Sequence, residues 1–324
     1  MAEPQVTAPA APTRSTFVLS DFLREYGILI IIALLMIGLT PVSPSFLSSR
    51  NLLNILNQSA PLALIAAALT PVIISGGFDL STGAIFGVAS VSAARLAVNV
   101  DPTPGMIAGP LLGMMLGVIN GLIITGFNVH SFLATPASSM VYRGIAVLIT
   151  GGALIPVRME EFTRLGRGRV GVVNVAVLIL LVFTVAMMVL LNRTTFGRRV
   201  IAVGGNEEAA ILSGVRTKLV RIACFGLTGF AAGPAGIIAV SRISMGQPQA
   251  GVGLELEAIA AVILGGTSIY GGAGAVWRSI AGVLLLALIG NGFNILNVNP
   301  FFKDLTTGVI IVVAVALSAG KKRR

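Results

Sequence analysis

Residues 105–127, GMIAGPLLGMMLGVINGLIITGF, decide what kind of protein this is. No ionisable side chain occurs among them. A helix of about 20 apolar residues is about 30 Å long, the thickness of the hydrocarbon core of a bilayer. Within the stretch, Gly109, Gly113, Gly117 and Gly121 recur every four residues. On a helix that spacing lines one face and lets a neighbouring backbone approach closely. The spacing leaves open whether the neighbour is in the same chain or in a second copy.

The whole chain has the same character. Of its 324 residues 55% are hydrophobic and only 10% charged, with a mean hydropathy of +0.95. A soluble domain carries roughly 25% charged residues, because its surface faces water. Hydropathy marks about ten apolar spans: 26–46, 52–74, 81–98, 105–127, 131–150, 172–192, 218–243, 254–268, 273–296 and 303–320. The expected fold is therefore an all-α, polytopic transmembrane helix bundle, because only helices and closed barrels satisfy their backbone polar groups in lipid. The span at 254–268 is too short for a full crossing and reads as a broken or re-entrant helix.

The net charge of +10 does not point to nucleic acid, because the basic residues lie between apolar spans and at the end of the chain. They set a topology instead. With the N-terminus in the cytoplasm, inside segments hold Arg14, Arg24, Arg193, Arg198, Arg199, Arg216, Lys218, Arg221 and the last four residues. Outside segments hold Arg50, Arg158, Arg164, Arg167, Arg169, Arg242 and Lys303. Twelve against seven places both termini in the cytoplasm, although the arginines of 151–171 run against the trend. Residues 1–25 read as a disordered cytoplasmic tail, 26–320 as the membrane domain and 321–324 as a basic tail. No cleavable signal peptide is expected, since no small-residue cleavage site follows the first apolar run. Cys224 is the single cysteine, so no intrachain disulfide can form.

Several activities are excluded. Gly166 to Gly171 matches G-x-G-x-x-G, but no strand precedes it and an apolar span follows, so a dinucleotide site lacks its βαβ context. No stretch fits the Walker A loop, so the chain has no such cradle for ATP phosphates. His130 is the only histidine. It leaves neither a His/Cys metal cluster nor a convincing Ser-His-Asp site, and no metal, bound cofactor or catalytic residue is expected.

Polar side chains inside spans are costly and face a bundle interior or a water path. Asn54 and Gln58 share a face of the second span with Asn51, and Asn57 lies beside them. Asn291 and Asn294 do the same in the ninth, and Asn120 interrupts the fourth. Each is either an interhelical hydrogen bond or a lining of the pathway. Arg143 needs a partner, for which Asp79, Glu255 and Glu257 are candidates. Asp79 also suits an N-cap of the third span. A faint internal repeat relates Ile74-Ser75-Gly76-Gly77 to Ile263-Leu264-Gly265-Gly266, and Asn120-Gly121 to Asn291-Gly292.

One long polar segment, 192–218, reads NRTTFGRRVIAVGGNEEAAILSGVRTK. Asn206 can cap a helix whose first turn carries Glu207 and Glu208, the charges favoured there, and Gly214 supplies its stop. Glu208-Ala209-Ala210 followed by Gly214 resembles the EAA loop of ABC importer permeases. Thr195-x-Gly197-Arg198-Arg199, then Gly204-Gly205-Asn206-Glu207-Glu208-Ala209-Ala210, is similar to the ribose-type version of that loop. Ser75-Gly76-Gly77-Phe78-Asp79-Leu80-Ser81, Glu255-Leu256-Glu257-Ala258-Ile259-Ala260-Ala261 and Gly265-Gly266-Thr267-Ser268 resemble further signatures of the same sugar permeases, in order, from about residue 26 to 318.

The resemblance implies a coupling loop at 193–217 that docks on a separate ABC ATPase subunit, where ATP and Mg are bound. It implies a second copy of the permease, a periplasmic or lipid-anchored sugar-binding protein, and a place in the bacterial inner membrane. The pathway would lie at the subunit interface or within each bundle. Branched-chain amino acids and nucleosides are alternative cargoes within the superfamily, and an ATP-independent transporter or channel is the alternative of another class. Ser131-Phe132, Trp277-Arg278-Ser279 and Glu257 depart from the family pattern, and the hydrophobic-Pro ending of the EAA loop is absent.

Overall fold

A computed structural model describes residues 19–41, 43 and 45–320. Its helices are α1 Leu19–Leu39, α2 Ser49–Ile74, α3 Thr82–Asn99, α4 Pro102–Gly126, α5 Ser131–Thr150, α6 Glu160–Arg167 and α7 Val175–Arg193. They continue with α8 Thr195–Gly205, α9 Glu207–Leu212, α10 Thr217–Ile243, α11 Leu254–Leu264, α12 Val276–Ile295 and α13 Pro300–Gly320. Two short ribbons complete it: β1 (Ile155–Pro156) pairs with β4 (Met245–Gly246), and β2 (Arg169–Val170) with β3 (Val173–Asn174). Among the described residues, α2, α3, α4, α5, α7, α10 and α12 are long and apolar enough to cross a membrane. The remaining expected spans fall on α1, α11 and α13.

Three boundaries differ from the sequence reading. Residues 19–25 belong to α1, because a helix nucleated in the apolar run extends outward at little cost; residues 1–18 and 321–324 of the expected tails lie outside the described residues. The polar segment forms two helices, α8 and α9, where one was expected. The Thr194 hydroxyl accepts from Gly197 N at 3.3 Å and starts α8 in the stretch read as a flank. The short span is α11, of 11 residues, which at 1.5 Å per residue covers only about half the hydrocarbon core.

Among the described helices α4 and α10 share the most extensive contact. Gly109, Gly113, Gly117 and Gly121 of α4 lie along it. A Cβ on Gly113 would meet the Gly229 carbonyl, one on Gly117 the Phe225 carbonyl, and one on Gly121 would come within 2.7 Å of Ile222 Cα. The helices therefore touch at backbone distance, and α10 also packs on α2, α3, α6 and α8.

Helix ends and interruptions are satisfied internally. Pro61 cannot donate to the Asn57 carbonyl. Arg242 from the end of α10 donates there instead, at 3.4 Å, and to the Gln58 carbonyl at 3.3 Å. The repeated Gly-Gly pairs close α2 and α11 in the same way. Gly76 N and Gly77 N donate to Ile73 O and Val72 O, as Gly266 N and Thr267 N do to Ile263 O and Val262 O. Gly76 and Gly266 both take φ +83°, the left-handed conformation this cap demands. Before α11, residues 247–253 run without regular structure along α3. Gly83 and Gly87 leave room for the Gly251 and Ala250 carbonyls.

Gly117→Ala is expected to destabilise the bundle by about 1–3 kcal/mol, the usual cost of overpacking, seen as a lower unfolding midpoint in detergent. Gly38→Ala, where nothing stands within 4 Å of the new Cβ, should leave the midpoint unchanged or raise it.

Candidate coupling surface and pathway residues

The α8–α9 segment caps one end of the bundle. Asn206 Oδ1 accepts from Ala209 N at 3.0 Å and starts α9, while Gly214, at φ +79°, ends its turn. Glu207 pairs with Arg221 of α10 at 2.7 Å, and Ala210 is buried beneath the helix. Glu208, Ala209, Ile211 and Leu212 face outward, Leu212 with 89% of its surface open. Arg198, Arg199 and Arg216 are exposed nearby, so the end offers an apolar tip beside positive charge.

The loop joining α2 to α3 is held by a buried polar network. Asp79 Oδ1 accepts from Ser81 N at 3.0 Å and from Ser81 Oγ at 2.6 Å. Asn120 Nδ2 of α4 donates to Ser81 Oγ at 2.6 Å, and its Oδ1 accepts from the Tyr142 hydroxyl of α5 at 2.9 Å. Ser131 and Thr135 of α5 accept from Phe78 N and Leu80 N at 3.0 and 2.9 Å. Asp79 thus acts two residues before the N-cap of α3 and not as that cap; the position belongs to Ser81, which makes no capping side-chain bond. Sequence reasoning missed Tyr142, Ser131 and Thr135. Their signal was a polar stripe at 131, 135, 138 and 142, one face of a helix.

Arg143, among its three candidate partners, pairs with Glu255, at 3.6 Å with side chains 25% and 15% exposed. Two residues on, Glu257 lies on another face of α11 and lines a cavity of about 140 Å³. Gln58, Ser59, Asn291, Asn294 and Thr307 share that lining, with Ile55, Leu62, Leu286, Ala287 and Gly290 as its apolar part. Asn291 is anchored by a reciprocal amide pair with Asn51, at 3.1 and 3.0 Å. Asn54 and Asn57 line a different, more open groove of about 950 Å³, with Asn51, Arg50, Arg169 and Asn174. The structure therefore separates Gln58 from Asn54 and Asn57, which the helical period had grouped.

Two comparisons bear on these features. Residues 51–315 match the family described as branched-chain amino acid transport system / permease component. The chain is 40% identical over 307 residues to the ribose import permease protein of Bacillus subtilis (strain 168), covering 94% of this chain and 93% of that one. It is 35% identical over 306 residues to the ribose import permease protein of Escherichia coli (strain K12), covering 93% and 95%. It is 32% identical over 319 residues to the L-arabinose transport system permease protein of the same strain, covering 98% and 97%. No solved structure matches. A likeness that covers more than nine-tenths of the chain spans the bundle and the α8–α9 end together, and it places the chain in the ribose-type family of ABC importer permeases.

Proposed function

We propose that this chain is the membrane-spanning subunit of a bacterial ABC importer for a simple sugar of the ribose type. The observation that carries the reading is α9. It is a short helix capped by Asn206 and tied to α10 by Glu207–Arg221, with Leu212 and Ile211 held outward. Exposed apolar residues beside positive charge form a docking surface that lipid does not explain. An ATPase subunit binding ATP and Mg would seat there, and this chain would bind no cofactor of its own. Alternation between ATP-bound and nucleotide-free states would then shift the bundle between outward and inward populations.

The α8–α9 end would face the cytoplasm, with both termini, in the inner membrane. The exposed arginines 198, 199 and 216 on that end support this orientation. A second copy of the chain and a periplasmic or lipid-anchored sugar-binding protein complete the assembly in this reading.

The cavity between α2, α11, α12 and α13 is the best candidate for contact with cargo. A carboxylate, three amides and two hydroxyls converge on it, groups that exchange hydrogen bonds with sugar hydroxyls. Asp79 and Asn120 are fully buried in the loop network, which supports a role in holding α2, α3, α4 and α5 together. Branched-chain amino acids, the other cargo considered, are not favoured: the matched family carries that description, but the relatives named above are ribose and arabinose permeases.

Uptake into proteoliposomes containing the chain, its ATPase and its binding protein should require ATP and a sugar. Uptake by the chain alone would overturn the reading. Glu208→Lys should leave the chain in the membrane and abolish co-purification of the ATPase. Glu257→Leu should leave that association intact and lower uptake about tenfold or more, the worth of one charge-assisted hydrogen bond.

A further inference from the structure

Three segments meet at one backbone carbonyl. Ile74 O is the last carbonyl of α2 and has no partner within its helix. Gly272 N, in the linker between α11 and α12, donates to it at 2.8 Å. Gly204, in the last turn of α8, lies against the same atom: a Cβ on Gly204 would meet Ile74 O and come within 2.7 Å of Gly272 N. The contact is reciprocal, since a Cβ on Gly271 would fall 2.7 Å from Gly204 O and 3.0 Å from Ile74 O. No side chain lies between these three segments to bend or change rotamer. The next glycine, Gly205, has nothing within 4 Å of its Cβ direction.

We infer that this backbone junction of Gly204, Ile74 and Gly272 is the contact through which displacement of the α8–α9 end reaches α2 and the α11–α12 pair. The inference rests on α8–α9 being the ATPase-coupling segment. A contact made of backbone alone is stiff, because packed main-chain atoms shift only by moving whole helices. What it moves is also informative. α2 carries Gln58 and Ser59 of the polar cavity, α11 carries Glu257 and Glu255, and α12 carries Asn291 and Asn294. Every polar lining residue of the cavity except Thr307 therefore sits on a helix that ends or begins beside this junction. Gly204 is a positioning residue, acting on cargo through α2 and the linker.

A glycine outside the coupling loop provides the control. In the reconstituted complex of permease, ATPase and binding protein, sugar uptake and ATP hydrolysis are measured on the same vesicles. Gly204→Ala should keep the ATPase bound and hydrolysing, and lower the sugar carried per ATP by about tenfold, a typical coupling energy between sites. Gly38→Ala, on α1 with nothing within 4 Å of the new Cβ, should match the native chain in both. Native transport per ATP in Gly204→Ala, or equal losses in both variants, would overturn the inference. If Gly204→Ala does not reach the membrane, hydrogen exchange at the Gly272 amide of the native complex decides. Protection retained in both the ATP-trapped and nucleotide-free states is expected of a rigid link, and its loss in either state would overturn it. Failure of the native chain to bind any ATPase would instead remove the coupling reading itself.

Discussion

The approach of α4 to α10 at backbone distance is the contact on which the other helices are placed. Inside a bilayer two helices gain nothing by leaving lipid for each other, because the lipid tails are as apolar as their side chains. Association then depends on how many atoms come into van der Waals contact, and glycine allows the most. Gly113 and Gly229 each lie over the other's carbonyl, so neither helix can rotate or slide without losing the fit. With α10 fixed, its far face and ends position α2, α3, α6 and α8. Ser241 of α10 accepts from Gly166 N at 2.8 Å and holds α6 over one end, while Arg221 holds α9 over the other.

A second constraint follows from the first. Helices packed this closely leave little room for water, so every interruption must be satisfied by protein. The solutions are local and specific. A Gly-Gly pair closes α2 and another closes α11, Arg242 replaces the donor that Pro61 lacks, and Gly272 takes up the end of α2. The run of residues 247–253 is tolerated at depth because α3 presents Gly83 and Gly87 to its carbonyls. Breaks of this kind place the start of α11, with Glu255 and Glu257 in its first turn, where a continuous helix would have only its middle. The positive end of a helix dipole favours carboxylates there.

Much of this was legible in the sequence, and the reasons are physical. Hydropathy located the spans because lipid imposes one length and one composition on all of them. The spacing of Gly109 to Gly121 marked a close helix contact, and Asn206 with Gly214 marked both ends of α9, because caps and glycine faces are local properties. What stayed hidden depended on distant partners. Arg143 had three possible partners, and only the fold selects Glu255. Asn54 and Gln58 lie four residues apart on one helix, yet neighbouring helices draw one to the larger groove and the other to the smaller cavity. Gly204 read as part of a motif, but nothing in the order of residues says that Ile74 and Gly272 lie against it.

The same geometry bears on how motion at one end of α2 would reach the other. From Gln58 to Ile74, α2 spans 16 residues, or about 24 Å at 1.5 Å per residue. One helix therefore carries polar cavity residues near one end and the α8 contact at the other. A relay of side-chain contacts between distant sites has to keep two discrete arrangements at every step, whereas a packed helix moves as a body and needs them only at its ends. Pro61 and Pro71 are the places where α2 could bend instead of moving whole. Near the first, Arg242 bridges the orphaned carbonyl to α10. At the second, the residues from Val72 to Ile74 are fully buried. The weak point at Pro61 is thus braced by the helix that also holds α9 through Arg221. α10 therefore ties α9, through Arg221, and the Pro61 region of α2, through Arg242, to one helix.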